Sequence, residues 1–334
     1  MLLFNCQGFE SLLRHKERLM QKVLILVGPT ASGKSALAVK LAKKFNGEVI
    51  SADSRQVYRG LNIGTGKITK LEMAGVPHHL LDVARPKKVF SAQDFIDHAA
   101  RAINDIISRG KLPIIAGGTG FYIDALVGRI NLPNVAPDPT LRARLEKKNA
   151  AQLYELLQKK DPARAKMMAT PSERNNKVRL IRALEIATNY KAQSFVKKEK
   201  PERLNKAIKS LPSSELGKKY DCLWIGIAPD MKALDRKIKK RLIERFEHGM
   251  IAEAKRLHAD GLSYKRMSEL GLEYRSLASY LQKKISRKEL ETELYAAIRR
   301  YAHKQMGYWK RNKDIRWFPS PTARELMKTV SMHL

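Results

Sequence analysis

Apolar residues follow two rhythms along this chain. The first is that of buried strands: residues 22–27, KVLILV, form a nearly continuous apolar run. It leads directly into GPTASGKS and then SALAVKLAKKF, where apolar residues recur at three- and four-residue steps, so a strand, a turn and a helix are predicted in succession. EVISA (48–52), LPIIA (112–116) and CLWIGIA (222–228) repeat the strand pattern. Short strands buried on both faces and separated by helical segments belong to a parallel sheet covered by helices, with ligands expected outside the carboxyl ends of the strands. The predicted fold class is α/β: a P-loop-type parallel sheet core flanked by helices, with an inserted all-helical domain and a helical C-terminal third.

The second rhythm begins near residue 131. NLPNVAPDPT is turn-rich, and the charged, periodic stretch 141–168 carries no strand signal, which predicts the helical insertion. NKVRLIRALEIATNY (176–190) reads as its last helix, and the Lys-rich stretch Lys191 to Lys219 as a mobile hairpin or loop. Helical periodicity returns in residues 233–261 and 287–311. The expected organisation is a catalytic core of 21–131 with 220–320, an insertion of 132–219, an N-terminal extension of 1–20 without an assigned role, and a C-terminal tail of 321–334.

Composition narrows the partners. A 334-residue chain with 43% hydrophobic residues buries a real core, and 65 Lys and Arg against 33 Asp and Glu leave a net charge of +32. Such a surface attracts phosphate backbones and releases their counterions, pointing to a nucleic acid. Cys6 and Cys222 stand far apart without metal-ligand spacing, so neither a disulfide framework nor a zinc site is expected, and a reducing, cytoplasmic setting fits. The apolar runs are far shorter than the roughly 18 residues a membrane span needs, so no membrane partner is expected. The first 20 residues make a poor signal peptide because charges interrupt their apolar pattern; Met20 is an alternative start.

The chemistry gathers at the first turn. Gly28-Pro29-Thr30-Ala31-Ser32-Gly33-Lys34-Ser35 matches G-x-x-x-x-G-K-[ST] at every fixed position, between a strand and a helix as that motif requires. Its glycines let backbone N–H groups face a phosphate at a helix N-terminus, Lys34 adds a point charge, and the Ser35 hydroxyl can ligate Mg²⁺. ATPases built on this loop usually add an aspartate at the end of a later strand, yet here that strand runs into Gly117-Gly118-Thr119-Gly120. The best-placed carboxylate is Asp53, after the second strand, although a turn or cap aspartate reads the same way. Thr30 can donate to an oxygen bridging phosphate and transferred group, and Thr119 can contact an acceptor; both are also ordinary turn residues. His78 and His79 read as structural.

GPTASGKS, ISADSRQVYRGLNIGTGK, PHHLLDV and IIAGGTGFY, in that order, give the chain a resemblance to the tRNA dimethylallyltransferase (tRNA isopentenyltransferase) family, from about residue 22 to about 318. The resemblance implies that the loop grips the diphosphate of dimethylallyl diphosphate and that the acceptor is N6 of an adenine beside the anticodon of tRNA. It assigns Asp53 as the base, with Thr30 and an arginine stabilising the departing diphosphate beside Lys34 and Mg²⁺. It places the contacts to the flipped-out adenine at Asp53, Ser54, Arg55 and Gln56. The insertion then resembles a mobile domain that closes on the anticodon arm, contacting it through Val178, Arg179, Leu180, Ile181 and Arg182, with Arg179 and Arg182 on one helical face. Arg275 in LGLEYR is a further expected RNA contact, whereas Leu270 to Glu273 depart from the family's more basic version. For the leaving-group arginine, Arg236, Lys237 and Arg241 compete in LDRKIKKRL, and Arg241 is taken. The segment Arg299 to Arg311 resembles a family pattern of a basic pair, Gln and two aromatics, with His303-Lys304 and Tyr308-Trp309 as departures; it suits an RNA surface, and Trp309 equally suits a core. A monomer is expected. Three rivals stay open: a prenyltransferase for free adenine nucleotides, a small-molecule kinase, and an RNA-binding module with a vestigial loop.

Overall fold

A computed structural model describes residues 21–133, 135–197, 220–322 and 324–334. The N-terminal extension and most of the expected Lys-rich hairpin, 198–219, lie outside the described residues. The chain divides into two compact units, Met1–Ile130 with Ser214–Leu334, and Asn131–Ser213.

The first unit is built on a six-stranded, wholly parallel sheet: β1 (Gln21–Val27), β2 (Gly47–Ala52), β3 (His78–His79), β4 (Leu112–Gly117), β5 (Tyr220–Ile227) and β6 (Arg316–Phe318), in the order β3-β2-β4-β1-β5-β6. The four expected strands form its middle. Because side chains alternate across a strand, the apolar run of β1 feeds two cores. Leu24 and Leu26 pack on one face with Leu37 and Leu41 of α1 (Lys34–Lys44), while Val23, Ile25 and Val27 share the other with α3 (Ala92–Ser108) and α4 (Gly120–Leu126). The short α2 (Lys70–Met73) lies between β2 and β3. In α3, Phe95, Ala99, Ile103 and Ile106 form one buried stripe, and a Ser91/Asp94 capping box starts the helix.

Two differences from expectation follow from element length. Strands β3 and β6 have two and three residues, too few for a period-2 pattern to register. The C-terminal tail contains a helix, Arg324–His333, whose Leu326 and Val330 are buried in the core beside β5.

The second unit is helical: α5 (Pro139–Glu146), α6 (Ala150–Lys160), α7 (Pro162–Met167), α8 (Pro171–Arg174) and α9 (Lys177–Lys197) enclose a small core around Leu153, Leu157, Leu180 and Leu184. Helix α9 runs past Tyr190 through Lys197, so the Lys-rich stretch begins as helix and not as the expected hairpin. Buried Glu185 organises this unit, accepting from Arg142 Nε (2.6 Å), Asp138 N–H (2.9 Å) and Arg182 (3.2 Å).

After β5, the chain adds α10 (Met231–Glu247), α11 (Met250–Ala259), α12 (Tyr264–Leu270), α13 (Leu272–Leu281) and α14 (Arg287–Trp309) to the first unit, and C-terminal helix α15 is Arg324–His333. Leu234, Ile238, Leu242, Leu257, Tyr274 and Leu294 pack here with Val57 and Leu61 from the segment after β2. This third core sets α10 and α14 beside the carboxyl ends of the strands.

Candidate functional site

The phosphate loop joins β1 to α1. Gly28 (φ +145°) leaves no room for a side chain, since a Cβ would lie 2.7 Å from the Ile227 carbonyl, and Gly33 (φ +89°) turns the chain into α1. No side chain caps α1, so the N–H groups of its first turn remain available to an anion. Lys34 folds back over the loop, donating to Ser32 Oγ at 3.4 Å. Its enclosure pushes the ammonium pKa from 10.5 down to about 7; Asp53 opposes that shift and Arg241 reinforces it.

Loop, strand ends and helices enclose a cavity of about 340 Å³. Residues Thr30 to Ser35 form one wall and Asp53 with Gln56 another, between them Gly117 and Gly118 at the tip of β4. Asp53 is held in a tight turn: its Oδ1 accepts from the N–H groups of Arg55 (2.8 Å) and Gln56 (3.3 Å), which leaves Oδ2 for a ligand. Thr119 braces the same turn, its Oγ1 accepting from Ser54 N–H at 3.1 Å. Arg55 is half-buried, with Nη1 on the Ser54 carbonyl (3.3 Å) and a buried Nε that has no hydrogen-bond partner among the described residues.

Helix α10 sends three basic residues one turn apart, Lys237, Arg241 and Arg245, to the cavity; Arg236 does not line it. They differ in what holds them. Arg245 pairs with buried Glu273 at 3.1 Å, and burial pushes that carboxyl upward in pKa. Arg241 makes no hydrogen bond or ion pair among the described residues. Both guanidinium groups crowd Gly66, where a Cβ would lie 2.2 Å from Arg245 Nη2 and 3.0 Å from Arg241 Nη2.

Several contributors carried no assignment in the sequence. Glu253, 4% exposed, accepts from the consecutive N–H groups of Asn62 (2.9 Å), Ile63 (2.8 Å) and Gly64 (3.0 Å) and from the Tyr274 hydroxyl (2.7 Å), fixing the loop that ends in cavity residues Thr65 and Gly66. Gly64 and Gly66 were the available signal; a glutamate almost 190 positions away was not. Tyr301 and Gln305, one turn apart on α14, close the cavity, and burial pushes the Tyr301 hydroxyl up to about 12. His79 bonds Glu48 (2.8 Å) and His78 the Val76 carbonyl (2.9 Å), a structural pairing away from the cavity.

The expected RNA segment on α9 is only partly available. Leu180 and Ile181 are buried in the core of the helical unit. Arg179 and Arg182 do not share one open face either, because Arg179 pairs with Glu173 while Arg182 turns to Glu185 and to the Val135 carbonyl (2.7 Å). Val178 is 78% exposed, and Arg275 is exposed with Nε on the Ser268 carbonyl. Trp309 is fully buried beside Trp224, so it serves the core.

A parallel sheet with a phosphate loop, a strand-end carboxylate and an arginine unpaired among the described residues around one cavity defines a phosphate-loop protein equipped for group transfer. Residues 56–313 match the IPP transferase family, and the chain belongs to it. It is similar to the tRNA dimethylallyltransferase of Geobacter sulfurreducens, 37% identical over 317 residues that cover 93% of this chain and 96% of the relative. The tRNA dimethylallyltransferase of Leuconostoc citreum is 37% identical over 290 residues, 86% and 90% of the two chains. Among solved structures, the full-length tRNA isopentenylpyrophosphate transferase from Bacillus halodurans superimposes with a TM-score of 0.64 at 35% identity over 94% of each chain. A eukaryotic dimethylallyltransferase acting on tRNA gives 0.72 at 25% identity, over 92% of this chain and 76% of the other. The family match begins after the phosphate loop, and the likeness to the Geobacter sulfurreducens relative, over 93% of the chain, extends across it.

Proposed function

We propose that this protein transfers a dimethylallyl group from dimethylallyl diphosphate to N6 of the adenine 3′ of the anticodon in tRNA, releasing diphosphate. The observation that carries this reading is one cavity uniting an anion cradle, a half-free carboxylate and a guanidinium without a partner among the described residues. The similar tRNA dimethylallyltransferases supply the group transferred and the class of acceptor. Action as a monomer is part of the same proposal. No helix among the described residues is long and apolar enough to cross a membrane; with tRNA as substrate, the cytoplasm is the proposed setting.

The adenine N6 lone pair is delocalised into the ring and needs help to attack. Asp53 Oδ2 takes an N6 proton as the N6–C1 bond forms and the C1–O bond of the donor breaks. The leaving diphosphate gathers negative charge, which the N–H groups of α1, Lys34, Thr30 and Arg241 stabilise. Burial favours the neutral amine of Lys34 while the cradle is empty, so binding of an anion there is coupled to uptake of a proton by Lys34.

Mg²⁺ fits the donor set present. The Ser35 hydroxyl opens the first turn of α1 in the cavity, and an ion that keeps several waters needs few protein ligands when diphosphate oxygens complete its shell. When bound, it neutralises diphosphate charge. Ser35 would hold it, with Asp53 serving as the base.

The test is transfer of label from radiolabelled dimethylallyl diphosphate with Mg²⁺ to an unmodified anticodon stem-loop and, in parallel, to AMP. Label in RNA alone is expected. Label in the nucleotide alone would overturn the RNA reading, and label in neither would overturn prenyl transfer.

A further inference from the structure

Gln305 is a polar side chain in a buried place. It is 6% exposed on α14, beside Ala302, Met306 and Trp309, all of which are buried. Its Oε1 accepts from the backbone N–H of Thr30 at 2.8 Å, and its Nε2 donates to the Gly118 carbonyl at 3.1 Å. A backbone N–H only donates and a carbonyl only accepts, so one orientation of the amide serves both, and no other uncharged side chain of that length does.

The two partners belong to opposite sides of the reaction. Thr30 is part of the phosphate loop. Gly118 ends the tip of β4, and the next residue, Thr119, donates its N–H to Ala52 (3.2 Å) and accepts from Ser54 on the turn that carries Asp53. Gly118 is also shaped by this contact: a Cβ there would lie 2.0 Å from Gln305 Nε2. One amide therefore spans from the donor cradle to the support of the base.

We propose that Gln305 is a positioning residue for prenyl transfer, a strut that sets the gap between the leaving-group cradle and Asp53. The inference rests on the transferase reading above. The N6–C1 bond forms while the C1–O bond breaks only when nitrogen, carbon and leaving oxygen are aligned, and that alignment depends on both walls together. Each substrate alone is held mainly by one wall. Loss of the strut therefore lowers turnover and spares binding, since misplacement on the order of 1 Å costs roughly 100-fold in rate.

The experiment compares full-length wild type, Gln305→Met and Gln305→Glu in the stem-loop assay, below the melting temperature of each. Gln305→Met is expected to lower kcat roughly 30- to 100-fold and to leave KM for dimethylallyl diphosphate and for the stem-loop within about threefold. Gln305→Glu supplies a readout that mere packing would not move. Ionised, it sets a carboxylate oxygen against the Gly118 carbonyl; protonated, it offers one acceptor and one donor as the amide does. Its rate relative to wild type is expected to climb as pH falls. A kcat within twofold for Gln305→Met, a loss confined to KM, or a pH-independent ratio for Gln305→Glu overturns the strut. Wild-type transfer in the same assay separates that result from failure of the transferase reading, which an inactive wild type would signal.

Discussion

The two ends of the sheet treat charge in opposite ways. Near the amino end of β2, Glu48 is 1% exposed and saturated: Arg109 binds both its oxygens, Lys111 reaches it at 2.8 Å and His79 at 2.8 Å. At the carboxyl end, Lys34 is enclosed with its pKa depressed, and Arg241 has no ion pair among the described residues. Both ends use the same kinds of group, carboxylates beside lysine and arginine. Complete pairing locks a structure, whereas incomplete pairing of preorganised cations stores affinity for an anion that arrives later. The contrast distinguishes the end proposed to bind substrate from the scaffold end more sharply than burial does.

The largest effects should come from the open end. Asp53→Ala is expected to lower transfer by about 10²- to 10⁴-fold, the range of a general base. Stem-loop affinity should stay within a few fold, because the carboxylate is one contact among many. Single-turnover rates and a binding titration check this; a rate within tenfold of wild type would remove Asp53 as the base. Next, Arg241 and Arg245 sharpen the comparison from one helix. Arg241→Ala is expected to cost roughly 10²- to 10³-fold in turnover at unchanged thermal stability, as for loss of one charge-stabilising donor. Arg245→Ala strands Glu273 in the interior, so stability should fall by about 3 to 5 kcal/mol, read by denaturant melts. Equal loss of stability in both variants would erase the distinction drawn between them.

How much of this was readable beforehand depends on the range of the interaction. The phosphate loop was legible because its mechanism is local: eight consecutive residues carry the glycines, the lysine and the serine. Asp53 was legible as a strand-end carboxylate, since parallel topology puts strand tips side by side. The central strands were legible because they are apolar on both faces. Gln305 and Glu253 were not assigned, because what ties each to the cavity is a set of backbone partners 187 to 275 and 189 to 191 positions away. Leu180 and Ile181 show the converse, for their burial was not part of the sequence reading. A motif position names residues without naming their faces, and helical periodicity puts these two in a core that Leu153 and Leu157 complete.

The saturated end should respond to acid and leave the chemistry alone. Glu48→Gln removes the charge that Arg109, Lys111 and His79 share, and is expected to destabilise the fold by about 2 to 3 kcal/mol near neutral pH, less than a fully enclosed pair because Arg109 and Lys111 keep water contact. Its cations, Arg109 foremost, hold the carboxyl well below the usual range, against burial. A depressed carboxylate contributes stability that is present above its unfolded value and lost as pH falls through the ordinary carboxylate range toward the folded one. Wild type should therefore lose stability more steeply than Glu48→Gln between about pH 5 and 3, with transfer rates alike at pH 7. Parallel acid melts would contradict the assignment of stability to this end.

The smallest effect tests the open end by its protons. Lys34 has a folded pKa of about 7 against 10.5 for the free side chain, from burial first, with Arg241 adding and Asp53 opposing. The unfolded chain then binds more protons than the fold between those two values, so Lys34 makes stability rise with pH across that window and adds no slope below it. A bound diphosphate reverses the balance by favouring the ammonium. At pH 8 the free site is roughly nine-tenths neutral, so binding of dimethylallyl diphosphate should take up close to one proton per site, and far less at pH 6. Calorimetry in two buffers of different ionisation enthalpy measures that uptake. Lys34→Met should abolish it at pH 8, and an uptake unchanged by the substitution would mean that another group takes up the proton and that Lys34 is already charged in the empty cradle.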